Sequence, residues 1–235
     1  LKVVEQELIA LRKDLEERAK EAEKLLKRSE RKLSQEDALG AVEAADRAAR
    51  KYPFSAKAWW QLAFANDKAG DLWAALAAGI QAAYLDDDYL SKLFALLRRA
   101  GSEPQDEARD KIAAYLKKIH DIYPIHPDVE RLMASAPLVA RALVIELDSD
   151  DKRKADFREA AKETFKQLED IMNHDPTNLL SHAMVGALAY GVRRYDYALQ
   201  HLLFLATVRP SLGEAYYLAA VSAAHNHRGS RERNK

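Results

Sequence analysis

Apolar residues recur at spacings of three, four and seven through the start of the chain, at Val4, Leu8, Leu11, Leu15, Ala22 and Leu26, with charged residues between them. A period near 3.6 predicts one long amphipathic helix over residues 1–34. Glu16–Lys20 and Glu23–Lys27 stand in the favourable i,i+4 order on its polar side. The seam is clean for only about two heptads, so this helix reads as a coiled-coil arm or as the first helix of a repeat. Ser34 followed by Asp37 reads as a capping box that starts a second helix.

From there helical stretches alternate with short breaks, near Tyr52-Pro53, Gly70-Asp71, Asp86 to Asp88, Gly101 to Pro104, Tyr123 to Pro127, Asp148 to Asp151, Asp175-Pro176, Arg193-Arg194 and Arg209-Pro210. The intervening runs have ordinary helix lengths. No stretch alternates apolar and polar with period two, so no sheet is predicted and the fold class is all-α.

The breaks are themselves periodic. Pro53 to Asp87 is 34 residues and Pro176 to Pro210 is again 34. Within the block Ala56–Tyr89, Trp59, Leu62 and Ala63 fall in the first helix, Gly70-Asp71 in the turn, and Ala75, Gly79 and Ala82 in the second helix. The block Leu179–Leu212 repeats the small residues with Gly186 and Ala198, then Leu205 and Pro210. Residues 22–55 fit in their second helix through Ala41, Ala45, Ala48 and Pro53, and the stretch from Gly213 fits through Tyr216, Ala219 and Ala220. Two antiparallel helices approach closely only where small side chains face each other, and one such pair cannot bury its apolar stripe alone, so pairs stack. In these positions the chain resembles the tetratricopeptide repeat (TPR) family, whose unit is a 34-residue helical hairpin. The resemblance implies a right-handed α-solenoid. It weakens in the middle, where Asp87 to Pro124 is 37 residues and Pro124 to Pro176 is 52. The expected organisation is a long N-terminal helix (1–34), repeats (35–147), a polar linker or hinge (148–154), further repeats (155–227) and a basic flexible tail (228–235).

Composition narrows the class. Ala (42) and Leu (31) dominate, while there are only eight Gly and seven Pro, which suits helix and little else. Cysteine is absent, which excludes a disulfide framework and a cysteine zinc site and leaves the redox compartment open. Lys and Arg number 37, as do Asp and Glu, and they interleave. That balance excludes a strongly basic nucleic-acid binder and a disordered acidic chain. No apolar run is long enough to span a membrane. The first residue is Leu1 rather than Met, which reads as a trimmed or processed product; a cytoplasmic setting is favoured.

The family's inward-facing places, carried onto this chain, give a candidate partner-binding set of Lys57, Trp60, Phe64, Asp67, Lys68, Tyr190, Tyr217 and Val221, with Leu180, Ala183, Ala187, Gly191 and Glu214 at further inward places. Exposed aromatic residues are effective anchors for a peptide or helix; the same rings would also serve to pack a neighbouring helix. The places where a co-chaperone of this family would hold Lys and Asn for a terminal carboxylate carry Trp60, Phe64, Ala183 and Ala187, so that clamp is not expected.

No metal or other cofactor is expected. His225 and His227 point to different sides of a helix, and His182 stands where Trp59 stands in the earlier block, as a core histidine. Asp148, Asp150 and Glu159 have calcium-loop spacing, but Lys152 and Arg153 occupy places that would oppose the ion. There is no glycine-rich phosphate loop, no serine elbow and no cysteine nucleophile, so the chain is not read as an enzyme. The expected function is a non-catalytic protein–protein interaction scaffold or adaptor that takes a peptide or helix in a concave groove. The alternatives are a self-assembling structural protein, using the N-terminal helix or the groove to form a homo-oligomer, and a chaperone-like holder of an apolar segment.

Overall fold

A computed structural model describes residues 2–103, 107–120, 125–144 and 151–233. Among the described residues there are eleven α-helices and no strand: α1 (Lys2–Ser34), α2 (Ala38–Lys51), α3 (Ala56–Lys68), α4 (Leu72–Leu85), α5 (Leu90–Ser102), α6 (Ala108–His120), α7 (Pro127–Val144), α8 (Asp151–His174), α9 (Leu179–Gly191), α10 (Tyr195–Val208) and α11 (Gly213–Arg233). A single 3-10 turn, Asp87–Tyr89, precedes α5.

Local chemistry explains the boundaries. A side-chain oxygen caps each of four helix starts by accepting an otherwise orphaned amide: Asp37 from Gly40 at 2.8 Å, Ser55 from Ala58 at 3.1 Å, Asp71 from Ala74 at 3.0 Å and Asn178 from Ser181 at 2.8 Å. The expected capping box is corrected here. Ser34 is the last residue of α1 and its hydroxyl donates to the Arg31 carbonyl, so the cap of α2 is Asp37. α1 closes two residues beyond Ser34, at Glu36, whose φ of 61° ends the helical ladder.

Glu36, Gly70 and Arg193 all take this left-handed conformation, and the amide after each reaches back five residues: Asp37 to Lys32 (2.9 Å), Asp71 to Asn66 (3.0 Å) and Arg194 to Ala189 (2.9 Å). The second helices end alike. Tyr52 bonds Ala48, Asp86 bonds Ala82, Asp175 bonds Ile171 and Arg209 bonds Leu205, all backbone N–H to carbonyl. The first two and the last two of these bonds are each offset by 34 residues. The periodicity of the breaks is therefore a periodicity of hydrogen bonds.

Consecutive helices pack on one another from α1 to α4 and from α7 to α11, but the middle departs from that order. α5 packs chiefly on α7, whereas α6 lies against α4 and α7. α7 is thus flanked by α5 on one side and α9 on the other. Two glycines set those distances. A Cβ on Gly101 of α5 would meet the Ala140 carbonyl oxygen at 2.1 Å, and one on Gly191 of α9 would meet the Ala142 Cβ at 2.5 Å. Ala140, Ala142, Val139, Leu132 and Met133 of α7 are all buried.

Of the segment read as a linker, Asp151 to Lys154 already belong to α8, and Asp148 to Asp150 lie outside the described residues. α11 likewise continues into the basic segment as far as Arg233. The first half of α1 extends past its partner helix and leaves Val4, Leu8, Ile9 and Leu11 more than half exposed. No helix among the described residues is long and apolar enough to cross a membrane.

The glycine contacts lead to a paired expectation. Gly101→Ala must push backbone apart and will lower the thermal unfolding midpoint by several degrees, in line with overpacking penalties of about 1–3 kcal/mol. Gly213→Ala, with nothing within 4 Å of the added atom, will leave the midpoint unchanged or raise it slightly. Thermal melts of the two variants side by side check both.

Candidate functional site

One face of the molecule is floored by the outer side of α5 and walled by α3 and α11. Ser91, Lys92, Ala95, Arg98 and Arg99 of α5 are exposed, while Leu90, Leu93, Phe94 and Leu97 on its other side are buried against the core. α3 contributes Trp60, Phe64, Asp67 and Lys68. α11 contributes Tyr217 and Glu214.

On the α3 side, the Trp60 ring stacks on Tyr89 at 5.5 Å between centroids. The Lys92 ammonium stands 5.4 Å from the Trp60 ring and 4.8 Å from the Tyr89 ring. Phe64 is 40% exposed, with the Lys68 ammonium 5.4 Å from its ring. Arg99 donates to Asp67 at 2.7 Å across the gap between the helices. Trp60, Phe64, Ala95 and Leu96, closed off by Lys92 and the Asp67–Arg99 pair, enclose a notch of about 240 Å³. Burial holds the Tyr89 phenol above its ordinary range, with Asp86 adding to the effect.

On the α11 side, Tyr217 is 59% exposed and the Arg98 guanidinium stands 5.8 Å from its ring. Tyr190 of α9 is half-buried, edge-on to Tyr195 at 6.2 Å. Burial and the neighbouring Tyr217 and Tyr195 push its phenol up, and Arg98 partly offsets this. Three long-range contacts tie this side to the floor. Arg209, beyond the end of α10, donates to Asp88 at 3.0 Å and to Asp87 at 3.4 Å, and the Ser91 hydroxyl donates to Glu214 at 3.5 Å. Burial holds the Asp87 carboxyl above the usual carboxylate range even with Arg209 beside it.

The candidate residues thus fall into two groups on either side of α5. Trp60, Phe64, Asp67 and Lys68 lie together, and Tyr217 and Tyr190 meet around Arg98. Lys57 stands nearer α1, where its ammonium bonds Glu23 at 3.2 Å. Val221 is half-buried. The further inward places of the second block do not reach this face. Leu180, Ala183 and Ala187 are buried, and Gly191 abuts Ala142. Sequence reasoning missed Lys92, Arg98 and Arg99, because the 34-residue register is lost in their part of the chain. A usable signal was there: α5 carries three cations and no carboxylate.

A second, larger concavity of about 660 Å³ lies between the α3–α4 turn and α6. Its charges have both signs: Asp67 pairs with Arg99 across it, Asp46 with Arg50 beside it, and Asp71 caps α4. The Tyr115 hydroxyl there is buried, has no hydrogen-bond partner among the described residues, and is pushed far up by burial. No cluster of three or more His, Cys, Asp or Glu able to hold a metal occurs among the described residues. Of the calcium-like spacing, Asp148 and Asp150 lie outside them.

Behind the face, α9 and α10 are joined by a histidine pair. His182 Nε2 lies 3.0 Å from the Pro176 carbonyl and must donate to it. Its Nδ1 is then an acceptor, so the Nδ1 of His201, 2.8 Å away, carries the proton that bridges them. His201 Nε2 is left as a buried acceptor without a partner among the described residues. In the earlier block the same two places hold Trp59, whose Nε1 donates to Pro53 at 2.8 Å, and the buried Ala78. One large ring and a methyl there do the work of two imidazoles here.

The pair makes an acid-sensitive joint. Burial, and then His182, lower the His201 pKa from 6.5 to about 4. Below about pH 6.5 the unfolded chain takes up a proton that the folded chain refuses. The stability this site contributes is therefore complete above the unfolded value and is lost as pH falls toward the folded one, at up to about 1.4 kcal/mol per pH unit. The unfolding midpoint will drop between about pH 7 and about pH 5, and the double change His182→Trp with His201→Ala will shrink that drop; melts at the two pH values check it.

No protein-family model matches the chain, and no curated protein matches it.

Proposed function

We propose that this protein is a non-catalytic interaction scaffold of tetratricopeptide-like helical hairpins, and that the α3–α5–α11 face receives a segment of another protein. The observation that carries this reading is the exposure of Phe64 and Tyr217 on opposite walls of a cationic floor that carries an apolar notch. Large rings left in water cost free energy in the isolated chain, and rigid aromatic residues are the usual anchors of protein interfaces. The hydrogen bonds that recur every 34 residues support the family assignment, and with it a solenoid arrangement of the hairpins. The notch is lined by rings, aliphatic side chains, Lys92 and the paired Asp67 and Arg99, which offer a partner shape and charge.

Self-assembly is the second reading, and a specific observation favours it: Val4, Leu8 and Leu11 form an exposed apolar stripe on the arm of α1. The two are separable. Phe64→Ala and Tyr217→Ala will each reduce partner capture by about tenfold, with the fold intact by circular dichroism. Light scattering of a Leu8→Glu, Leu11→Glu variant reports the arm. A dimer lost in that variant, with capture untouched by the aromatic changes, would replace the groove by the arm as the functional surface.

A further inference from the structure

We infer that the segment received by this face is acidic, with one large apolar side chain among its carboxylates. This rests on the groove reading above and adds the chemistry of the partner.

Positive charge is concentrated beside the notch, where Lys68 and Lys92 stand with the Asp67–Arg99 pair. The chain as a whole is neutral, with 37 basic and 37 acidic residues. Three cations around this face meet carboxylates: Arg99 pairs with Asp67, Lys57 with Glu23, and Arg209 with both Asp87 and Asp88, so that with the exposed Asp86 the start of α5 is acidic and the positive charge is confined to the surroundings of the notch. Lys68, Lys92 and Arg98 differ. Each is exposed, each stands over an aromatic ring at 4.8–5.8 Å, and none makes an ion pair among the described residues. A ring attracts a cation through its quadrupole, which carries no net charge. The rings therefore hold the three side chains over the face without cancelling their charge; Arg98 shares its hollow with the Glu214 carboxylate, whereas Lys68 and Lys92 flank the notch. Glu214 at the start of α11 accepts the Ser91 hydroxyl.

The notch supplies the second half of the specification. Its 240 Å³ lie between Trp60, Phe64 and Leu96, and an apolar cavity of roughly 150 Å³ already holds a benzene ring. There is room for one aromatic or branched aliphatic side chain. Lys92 stands at one end of the notch, Lys68 lies over the Phe64 wall, and Arg98 is on the same helix as Lys92, so carboxylates on either side of the buried residue find cations within reach. Charge on this pattern steers encounter and selects partners, while the apolar insertion supplies residence. A nucleic-acid strand would also value rings and cations, but three separated cations suit a short acidic segment better than a run of phosphates.

The test is selection from a library of random displayed peptides on the wild-type protein. Dissociation constants of the enriched peptides are then measured on wild type, on Lys92→Glu with Arg98→Glu, and on Phe64→Ala. Both cations are exposed, so the charge reversals leave the fold intact. Enriched sequences will carry Asp and Glu around a Phe, Trp, Leu or Ile. Their binding will weaken by about tenfold or more in the charge-reversed variant and on raising the salt to several hundred millimolar. Neutral or basic sequences that are still lost in Phe64→Ala would overturn the acidic partner and leave the groove reading standing. Acidic sequences indifferent to the charge reversal would overturn the site. No enrichment that depends on Phe64 or Tyr217 would overturn both. A single-stranded oligothymidine that binds more tightly than any selected peptide at the same salt would replace the peptide by a nucleic acid.

Discussion

The closeness of α7 to its two neighbours is the constraint on which the rest depends. Gly101 lets α5 lie with its backbone on that of α7, and Gly191 does the same for α9. Neither contact leaves room for a methyl group. With α4, α6 and α8 these two neighbours bury one broad side of α7, from Val129 to Ala142, while Arg131 and Ala134 stay exposed, and they join the helix pairs on its N-terminal side to those on its C-terminal side. Interiors are packed too densely to absorb an added atom at such a contact without moving a helix. The relative position of the halves therefore turns on two missing side chains.

The exposed face follows from that packing. Because α5 gives its apolar side to α7 and not to α6, its charged side is left between α3 and α11 with no helix among the described residues over it. A regular hairpin array would have spent that surface on the next repeat. The irregular middle, which breaks the 34-residue period, thereby makes the floor of the candidate site. Arg209 then holds the C-terminal hairpins against the start of α5 through Asp87 and Asp88. Half-buried ion pairs of this kind position more than they stabilise, since desolvation offsets much of the attraction. That is consistent with an Asp87 carboxyl held above its usual range.

Much of this was legible in the residues. The breaks at Gly70-Asp71, Asp175-Pro176 and Arg193-Arg194 fall at helix ends because glycine, proline and capping carboxylates act over a few residues, and local rules see them. Trp60, Phe64, Tyr190 and Tyr217 could be singled out by counting from those breaks. Ser34 misled because a capping-box pattern does not say whether the preceding helix has already ended; the left-handed Glu36 decides that. Arg98 and Lys92 were out of reach because counting fails where the period does. Leu180, Ala183 and Ala187, rightly placed on one side of α9, proved to be covered because nothing local says that α7 lies over them.

The amino-acid sequence by itself determined the helical class, most of the helix boundaries and the 34-residue recurrence, since all three arise from backbone propensity, capping and apolar period within a turn or two of chain. Only the tertiary structure decided which helix meets which. It placed α5 beside α7, brought Arg98 to Tyr217 and Asp87 to Arg209 across more than a hundred residues, and set His182 against His201. Those choices rest on shape complementarity between surfaces distant in the chain, where one glycine or one methyl outweighs any local preference.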